Sequence, residues 1–384
     1  LLSIILVTFF LCFISNMPLH SPDEARYSLV SFEMFQTHQY LVPKLFGVAF
    51  LDKPPLFYYA QVLMLKLFGY SEFSLRLPSV IAASITCLVV YITGRLVFNR
   101  RAGWYGALIC ANMPLFFIMA HYANLDMMVA CFVTLSMCLF VLAQQPNAQH
   151  TRLLMWLTYL SMALAMLSKG LIALVLPIGS AVIFFVMQKI KPASLNGQFQ
   201  NKLYLLDGLI IFAVCVAPWF LMMHQEVPGF SYYYFVIQHF YRYLSESMNN
   251  QQPFWFYFAI VFACLLPWVF VVLLKNQRPK NAATIFISIA FSFILLFFSI
   301  PTSKTLGYII PVFPFAALLI AERLSANCGK RINEAFLVLS LLSILSGLLA
   351  CYPWLALRAY HHEILPFAFI LIFSGCAGLL IKWV

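Results

Sequence analysis

Charge is what this 384-residue sequence has least of. Asp, Glu, Lys and Arg together make up 9% of it, against about 25% in soluble globular domains. Hydrophobic residues make up 63%, so an ordinary water-soluble domain is excluded. Acidic residues are scarcest: 12 Asp and Glu face 23 Lys and Arg, a net charge of +11. On a soluble protein that excess would point to nucleic acid. On a chain solvated by lipid it reports orientation instead, and nucleic acid drops out as a partner. The sequence also lacks any C-x-x-C pair or repeated cysteine spacing. Cys12, Cys87, Cys110, Cys131, Cys138, Cys215, Cys264 and Cys376 all lie inside apolar runs. That argues against a disulfide framework and leaves them as small buried hydrophobes. The first apolar run has no polar leader and no small-residue cleavage site, so it is expected to be an anchor and not a removed signal peptide.

A membrane-spanning helix needs about 20 mostly apolar residues. Twelve runs qualify, at roughly 1–17, 78–98, 103–120, 125–143, 153–168, 171–188, 204–223, 255–274, 282–300, 305–323, 332–352 and 363–383. Basic residues sort between the two alternating sets of loops. One set holds 13, including Arg95, Arg100, Arg101, Lys189, Lys191, Lys275 and Arg331, against Asp207, Glu322 and Glu334. The other holds nine Lys and Arg matched by nine Asp and Glu. The positive-inside rule then places both termini in the cytoplasm. Strict alternation supports the count, because one false span would scramble it. The reading is an all-α integral membrane protein of about 12 spans forming one domain over 1–384, with no soluble C-terminal domain. Its largest outer segments are 18–77 and 224–254, each expected to carry an interfacial helix. Ionisable groups are nearly absent from helix interiors, where a transporter would more often carry them. Chemistry is therefore expected at the outer surface.

The first outer segment begins Ser21-Pro22-Asp23-Glu24-Ala25-Arg26-Tyr27. Ser21 with Glu24 fits a capping box and Pro22 the first helical position. Glu24 is accounted for by that start. Asp23 is less so, since a carboxylate at a lipid interface is costly and a capping box does not require it, and it is a candidate catalytic residue. Further on comes Leu51-Asp52-Lys53-Pro54-Pro55, with a helix expected from Pro54 or Pro55 to near Gly69. In one reading Asp52 caps that helix and Lys53 snorkels. In the other Lys53 binds phosphate and Asp52 is a metal ligand or orienting partner.

His121-Tyr122-Ala123-Asn124-Leu125-Asp126 joins two spans, with Asn124 as N-cap and Asp126 at the helix mouth. Lys169, in a tight outer turn, is expected to snorkel, and Lys304 similarly, with Tyr308 about one turn further in. The fourth outer segment, Tyr232 to Tyr243, is densely aromatic and places His239 and Arg242 three apart, on one face of an α-helix. Carboxylates, cations and aromatics on one side of a membrane suit an enzyme handling a lipid-linked phosphate. Cations would hold the leaving phosphate, and a carboxylate would act as base toward an acceptor hydroxyl.

The ordered set Asp23-Glu24-Ala25-Arg26-Tyr27, Asp52-Lys53-Pro54-Pro55, Tyr122-Ala123-Asn124-Leu125-Asp126, Leu167-Ser168-Lys169-Gly170, Ala217-Pro218-Trp219, His239-Phe240-Tyr241-Arg242 and Lys304 to Tyr308 resembles a known family. It is that of polyprenyl-phosphate-sugar-dependent transferases with the GT-C fold, nearest the 4-amino-4-deoxy-L-arabinose lipid A transferases within the protein O-mannosyltransferase-like superfamily. The resemblance implies a glycosyltransferase taking a sugar from undecaprenyl phosphate at the periplasmic face of the bacterial inner membrane. It implies Asp23 as base, Asp126 as a second acidic site, and Lys53, Arg242 and Tyr308 at the carrier phosphate. It further implies Asp52 and His239 at positions where a divalent metal ion could bind. Two departures stand out: Asp52 replaces the usual Glu, and Gln238 replaces the Glu that usually precedes the His. The acceptor expected is lipid A or another glycolipid. The alternatives are a protein acceptor, as in O-mannosylation, and a transporter of lipid-linked saccharides.

Overall fold

Within lipid no water satisfies backbone amides, so an apolar chain must bond them internally, and helix is the local solution. The computed structural model describes residues 2–326 except 13, 16–17, 191–198, 242–249, 267 and 274–280, with isolated positions beyond 326. A short first helix, α1 (Leu2–Leu11), leads into α2 (Asp23–Thr37), a two-stranded hairpin of β1 (Lys44–Leu45) and β2 (Val48–Ala49), and α3 (Leu56–Phe68). The main bundle follows: α4 (Glu72–Val97), α5 (Arg100–Ala111), α6 (Pro114–Ala120), α7 (Leu125–Ala143), α8 (Thr151–Lys169), α9 (Ile172–Ile190) and α10 (Leu205–Glu226). After it come a π-helix (Tyr232–Tyr241), α11 (Phe256–Cys264), a 3₁₀ segment (Trp268–Leu273), α12 (Ala282–Ser299), a 3₁₀ turn (Leu306–Ile309) and α13 (Val312–Ala326).

Seven helices among the described residues are long and apolar enough to cross a membrane. They are α4, α7, α8, α9, α10, α12 and the continuous stretch Leu306–Ala326; α5 with α6 makes an eighth if that bent pair is one span. The run at 103–120 is thus not a straight span but bends by 69°. The cause is Pro114, which cannot donate to the ladder and forces extended backbone on Met113. The run at 255–274 is likewise broken, between α11 and the 3₁₀ segment. The runs at 332–352 and 363–383 lie outside the described residues.

The core centres on α7, whose apolar residues are buried nearly all round against α4 and α8, while α5 packs on α4 and α13. α9 and α10 present the opposite pattern. Val175, Ile178, Val182 and Val186 on α9, and Leu206, Leu209, Ile210 and Val214 on α10, are exposed. A contiguous apolar face of this kind is incompatible with water and suits lipid. α4 and α5 cross closely at their turn. Asn99 Oδ1 accepts from the Ala102 amide at 2.8 Å to cap α5, and Gly94 and Gly103 let the two backbones touch. A Cβ on Gly103 would sit 2.6 Å from the Tyr91 carbonyl oxygen. Because the obstacle is backbone that cannot rotate away, Gly103→Val is expected to destabilise by about 1–3 kcal/mol. Thermal unfolding in detergent checks this, with Gly47→Val, which meets open space but carries φ of +78°, as a comparison for backbone strain without crowding.

Candidate active site

The candidate site and its surroundings are assembled from α2, the 38–55 loop, the starts of α3, α4 and α7, the ends of α8 and α12, and the π-helix. The expected Ser21–Glu24 capping box does not form. Pro22 occupies the cap position and offers no side-chain bond, and Glu24 is drawn elsewhere. Its carboxylate is fully buried against Arg76, a residue sequence reasoning had left as one more outer charge. Arg76 Nε donates to Oε1 at 2.6 Å and Nη2 to Oε2 at 2.9 Å. The Ala123 amide adds a bond to Oε1 at 2.8 Å, and the His20 amide one to Oε2 at 2.9 Å. Each oxygen therefore receives two donors, which is what a buried carboxylate requires. Asp23, its neighbour, is 42% exposed in its side chain and pairs with Arg26 at 2.5 Å.

α3 starts at Leu56 and ends against Gly69, as Pro54-Pro55 and the glycine predict. Asp52 does not cap it, since Pro55 holds the cap position. Instead Asp52 Oδ1 accepts from the Tyr233 hydroxyl and from Gln238 Nε2, each at 2.7 Å. This latches the first outer segment to the fourth. The segment carrying Tyr233 and Gln238 is π-helical, not α-helical. The His239 side chain and the whole of Arg242 lie outside the described residues.

Asn124 caps α7 as expected, accepting from the Asp126 amide at 3.3 Å, and Asp126 is buried. Lys169 does not snorkel. Its ammonium pairs with the Asp126 carboxylate and stands 4.2 Å from the centre of the Tyr308 ring. A buried carboxylate at the C-terminal end of α8, where the helix dipole also favours a cation, is a better partner for the ammonium than interfacial water. Gly307 completes the arrangement, because a Cβ there would collide with the Asp126 carboxylate. Lys304 does not snorkel either. It is 3% exposed, with Nζ donating to the Gln252 and Pro301 carbonyls at 2.9 and 2.5 Å. Burial lowers its pKa from the ordinary lysine value. It stitches 250–252 to the 301–304 loop, beside bonds from Gln252 N to Thr302 O and Lys304 N to Asn250 O.

Lys53, Asp126, Lys169, Gln238 and Tyr308 line one cleft, whose remaining wall includes Ile172, Leu176 and Phe297. Asp23 and Asp52 are not among the lining residues. Burial raises the pKa of the Tyr27 phenol, and the Asp126 and Asp23 charges raise it further. Two cations and one carboxylate leave the cleft net positive beside an apolar wall, which suits the phosphate of a lipid. Of the site residues, sequence reasoning missed Arg76, Lys169 and Gly307. Lys169-Gly170 and Leu306-Gly307-Tyr308 were visible as motifs, but nothing local showed that they meet at Asp126. The metal expectation meets a sparse donor set. Asp52 already carries two hydrogen bonds, and among the described residues no three His, Cys, Asp or Glu stand together.

Residues 52–222 match the family model described as dolichyl-phosphate-mannose-protein mannosyltransferase. The chain is 28% identical over 339 residues to undecaprenyl phosphate-alpha-4-amino-4-deoxy-L-arabinose arabinosyl transferase 2 of Proteus mirabilis, covering 86% of this chain and 60% of that one. It is 31% identical over 336 residues to the corresponding transferase of Pectobacterium carotovorum, covering 84% and 59%. Among solved structures, ArnT from Cupriavidus metallidurans bound to undecaprenyl phosphate superposes with a TM-score of 0.81 at 22% identity, covering 98% of this chain and 77% of that one. The chain is a relative of these transferases and has their GT-C fold. It spans about 60% of the length of the two curated relatives described here.

The Asp126–Lys169 pair gives a stability test. Lys169→Met strands a buried carboxylate and is expected to cost about 3–5 kcal/mol, whereas Lys169→Met with Asp126→Leu removes both charges and should recover most of that. Denaturation of both variants in detergent decides it; equal losses would mean the pair is not coupled.

Proposed function

We propose that this chain transfers a sugar from undecaprenyl phosphate to a lipid A-type glycolipid at the periplasmic face of the bacterial inner membrane. The observation that carries the reading is the cleft where Lys53, Lys169, Tyr308 and Asp126 meet an apolar wall. It offers cations for a phosphate and hydrocarbon for the chain attached to it. The names of the curated relatives, and the undecaprenyl phosphate bound by a solved relative of the same fold, support the choice of donor.

In this reading an acceptor oxygen attacks the anomeric carbon as the bond from that carbon to the carrier phosphate breaks, with inversion. The departing electron pair goes to the phosphate, where Lys53, Arg242 and Tyr308 stabilise the charge. Asp23 takes the acceptor proton as general base, and Asp126, fixed by Lys169, orients the reacting groups. Glu24 and Lys304 serve the frame: one is buried on Arg76, the other on backbone carbonyls. A divalent ion held by Asp52 and His239 is a separate proposal; it would add positive charge beside the phosphate, and no step above is routed through it. Twelve spans with both termini cytoplasmic, and α2, α3 and the π-helix lying at the outer interface, complete the proposal, supported by the loop charge asymmetry.

Purified protein given radiolabelled undecaprenyl-phosphate aminoarabinose, with lipid A and peptide acceptors offered separately, tests it. Asp23→Ala and Lys53→Ala are each expected to cut transfer by roughly 10²-fold or more while the protein remains monodisperse. Wild-type turnover in both would remove these residues from the site, and labelled peptide in place of lipid A would move the reading to protein glycosylation. Orientation has its own test. Phe46 stands 80% exposed at the tip of the β1–β2 hairpin, so Phe46→Cys should react in whole cells with a maleimide that crosses only the outer membrane. Labelling only after inner-membrane lysis would invert the topology.

A further inference from the structure

Three stretches of chain that are far apart in sequence converge on one carboxylate that the proposed reaction does not use. Glu24 is 0% and the Arg76 side chain 3% exposed. Through its two oxygens Glu24 holds the His20 amide, the Ala123 amide and the guanidinium of Arg76. Arg76 reaches on to the Ile14 and Pro18 carbonyls at 2.9 and 3.0 Å, tying down the segment that leads into α2. One helical turn after Arg76, Ser79 Oγ donates to the Tyr122 carbonyl at 2.8 Å. The His20 ring stacks on Tyr122 with centroids 6.1 Å apart. Glu24 is covalently next to Asp23, and Ala123 lies three residues before Asp126.

We propose that the Glu24–Arg76 pair is a positioning device: it fixes Asp23 and the 122–126 turn carrying Asp126 in one geometry against the start of α4. This role depends on the proposed function, in which Asp23 is the base and Asp126 orients the reacting groups. Stability alone does not call for this arrangement, since an apolar pair of similar volume fills such a space as well or better. What an apolar pair cannot do is grip two backbone amides from different segments while anchoring both to a third. Carboxylates that must serve one reaction from two separate chain segments need such a clamp, because a displacement of about 1 Å costs on the order of 10²-fold in rate. Glu24 and Arg76 act through Asp23 and Asp126 and touch no substrate.

The test uses the full chain in lipid nanodiscs. Glu24→Gln keeps the side chain's shape and one carbonyl acceptor but removes the paired fork; Arg76→Lys keeps the charge and loses the fork. Both are expected to lower kcat by at least about tenfold with KM for the lipid-linked sugar little changed, because the phosphate-binding groups are elsewhere. A second measurement reads geometry without chemistry: cross-linking of His20→Cys to Tyr122→Cys by a short bifunctional thiol reagent. These substitutions leave intact the backbone groups the pair uses. Cross-linking should be efficient with Glu24 and fall several-fold with Glu24→Gln in protein that still elutes as a single folded species. Unchanged kcat and unchanged cross-linking overturn the proposal, as does a kcat loss matched by an equal loss of folded protein. A parent protein that cross-links normally, loses the cross-link with Glu24→Gln, yet transfers no sugar to any acceptor supports the clamp and refutes the transferase reading.

Discussion

Taking a carboxylate out of water costs more than any one hydrogen bond returns, and in a bundle surrounded by lipid there is little water to fall back on. Glu24 is fully buried because four N–H donors converge on it, two of them from the planar fork of Arg76. Once that satisfaction is required, much else follows. α2 must start where Glu24 can reach Arg76, the loop after α6 must bring the Ala123 amide to the same point, and the segment before α2 must offer carbonyls to the rest of the guanidinium. The same constraint acts at Asp126, which Lys169 neutralises, and at Lys304, where carbonyl oxygens take the place of water. The outer face is therefore ordered by charges that cannot be left alone.

That constraint also separates what the sequence makes legible from what it hides. Features with a local cause are readable. The apolar runs from 1 to 323 each coincide with helix among the described residues, α3 begins after Pro54-Pro55 and stops at Gly69, and Asn124 caps α7. The bend within 103–120 also has a local signal, Pro114, which a search for apolar runs passes over. Features caused by a distant partner are not readable. Glu24 and Arg76 are 52 positions apart and Asp126 and Lys169 are 43 apart. Glu24, Asp126 and Lys169 each also have an adequate local account, as a cap, a helix mouth or a snorkelling cation, and Arg76 reads only as one more loop charge. The local account was preferred for Glu24, Lys169 and Lys304, and for all three the tertiary partner wins.

The fourth outer segment shows the same competition in backbone form. Its aromatic density suggests an interfacial α-helix, but the chain winds as a π-helix from Tyr232 to Tyr241. Phe230 and Tyr234 stack with centroids 5.5 Å apart, and Phe220 packs on Tyr234 and Phe235 at 5.3 and 5.4 Å. Residues five apart then lie close together, and Tyr233 and Gln238 are such a pair, joined by a 2.7 Å hydrogen bond. That bond is what lets both side chains present donors to a single oxygen of Asp52.

The Asp52 latch bears on the two departures from the pattern that the sequence resemblance implies, Glu at both positions. With Asp in place of Glu the carboxylate is one methylene shorter, and with Gln in place of Glu the facing side chain is neutral and can donate. The two changes fit each other. Two carboxylates facing each other would repel unless a cation lay between them, whereas one carboxylate and one amide close directly, with the Tyr233 hydroxyl as the second donor. Closure here joins the first outer segment to the fourth, and Gln238 and Lys53, the neighbour of Asp52, both line the cleft. The latch therefore holds the backbone next to Lys53 against the segment that carries Gln238.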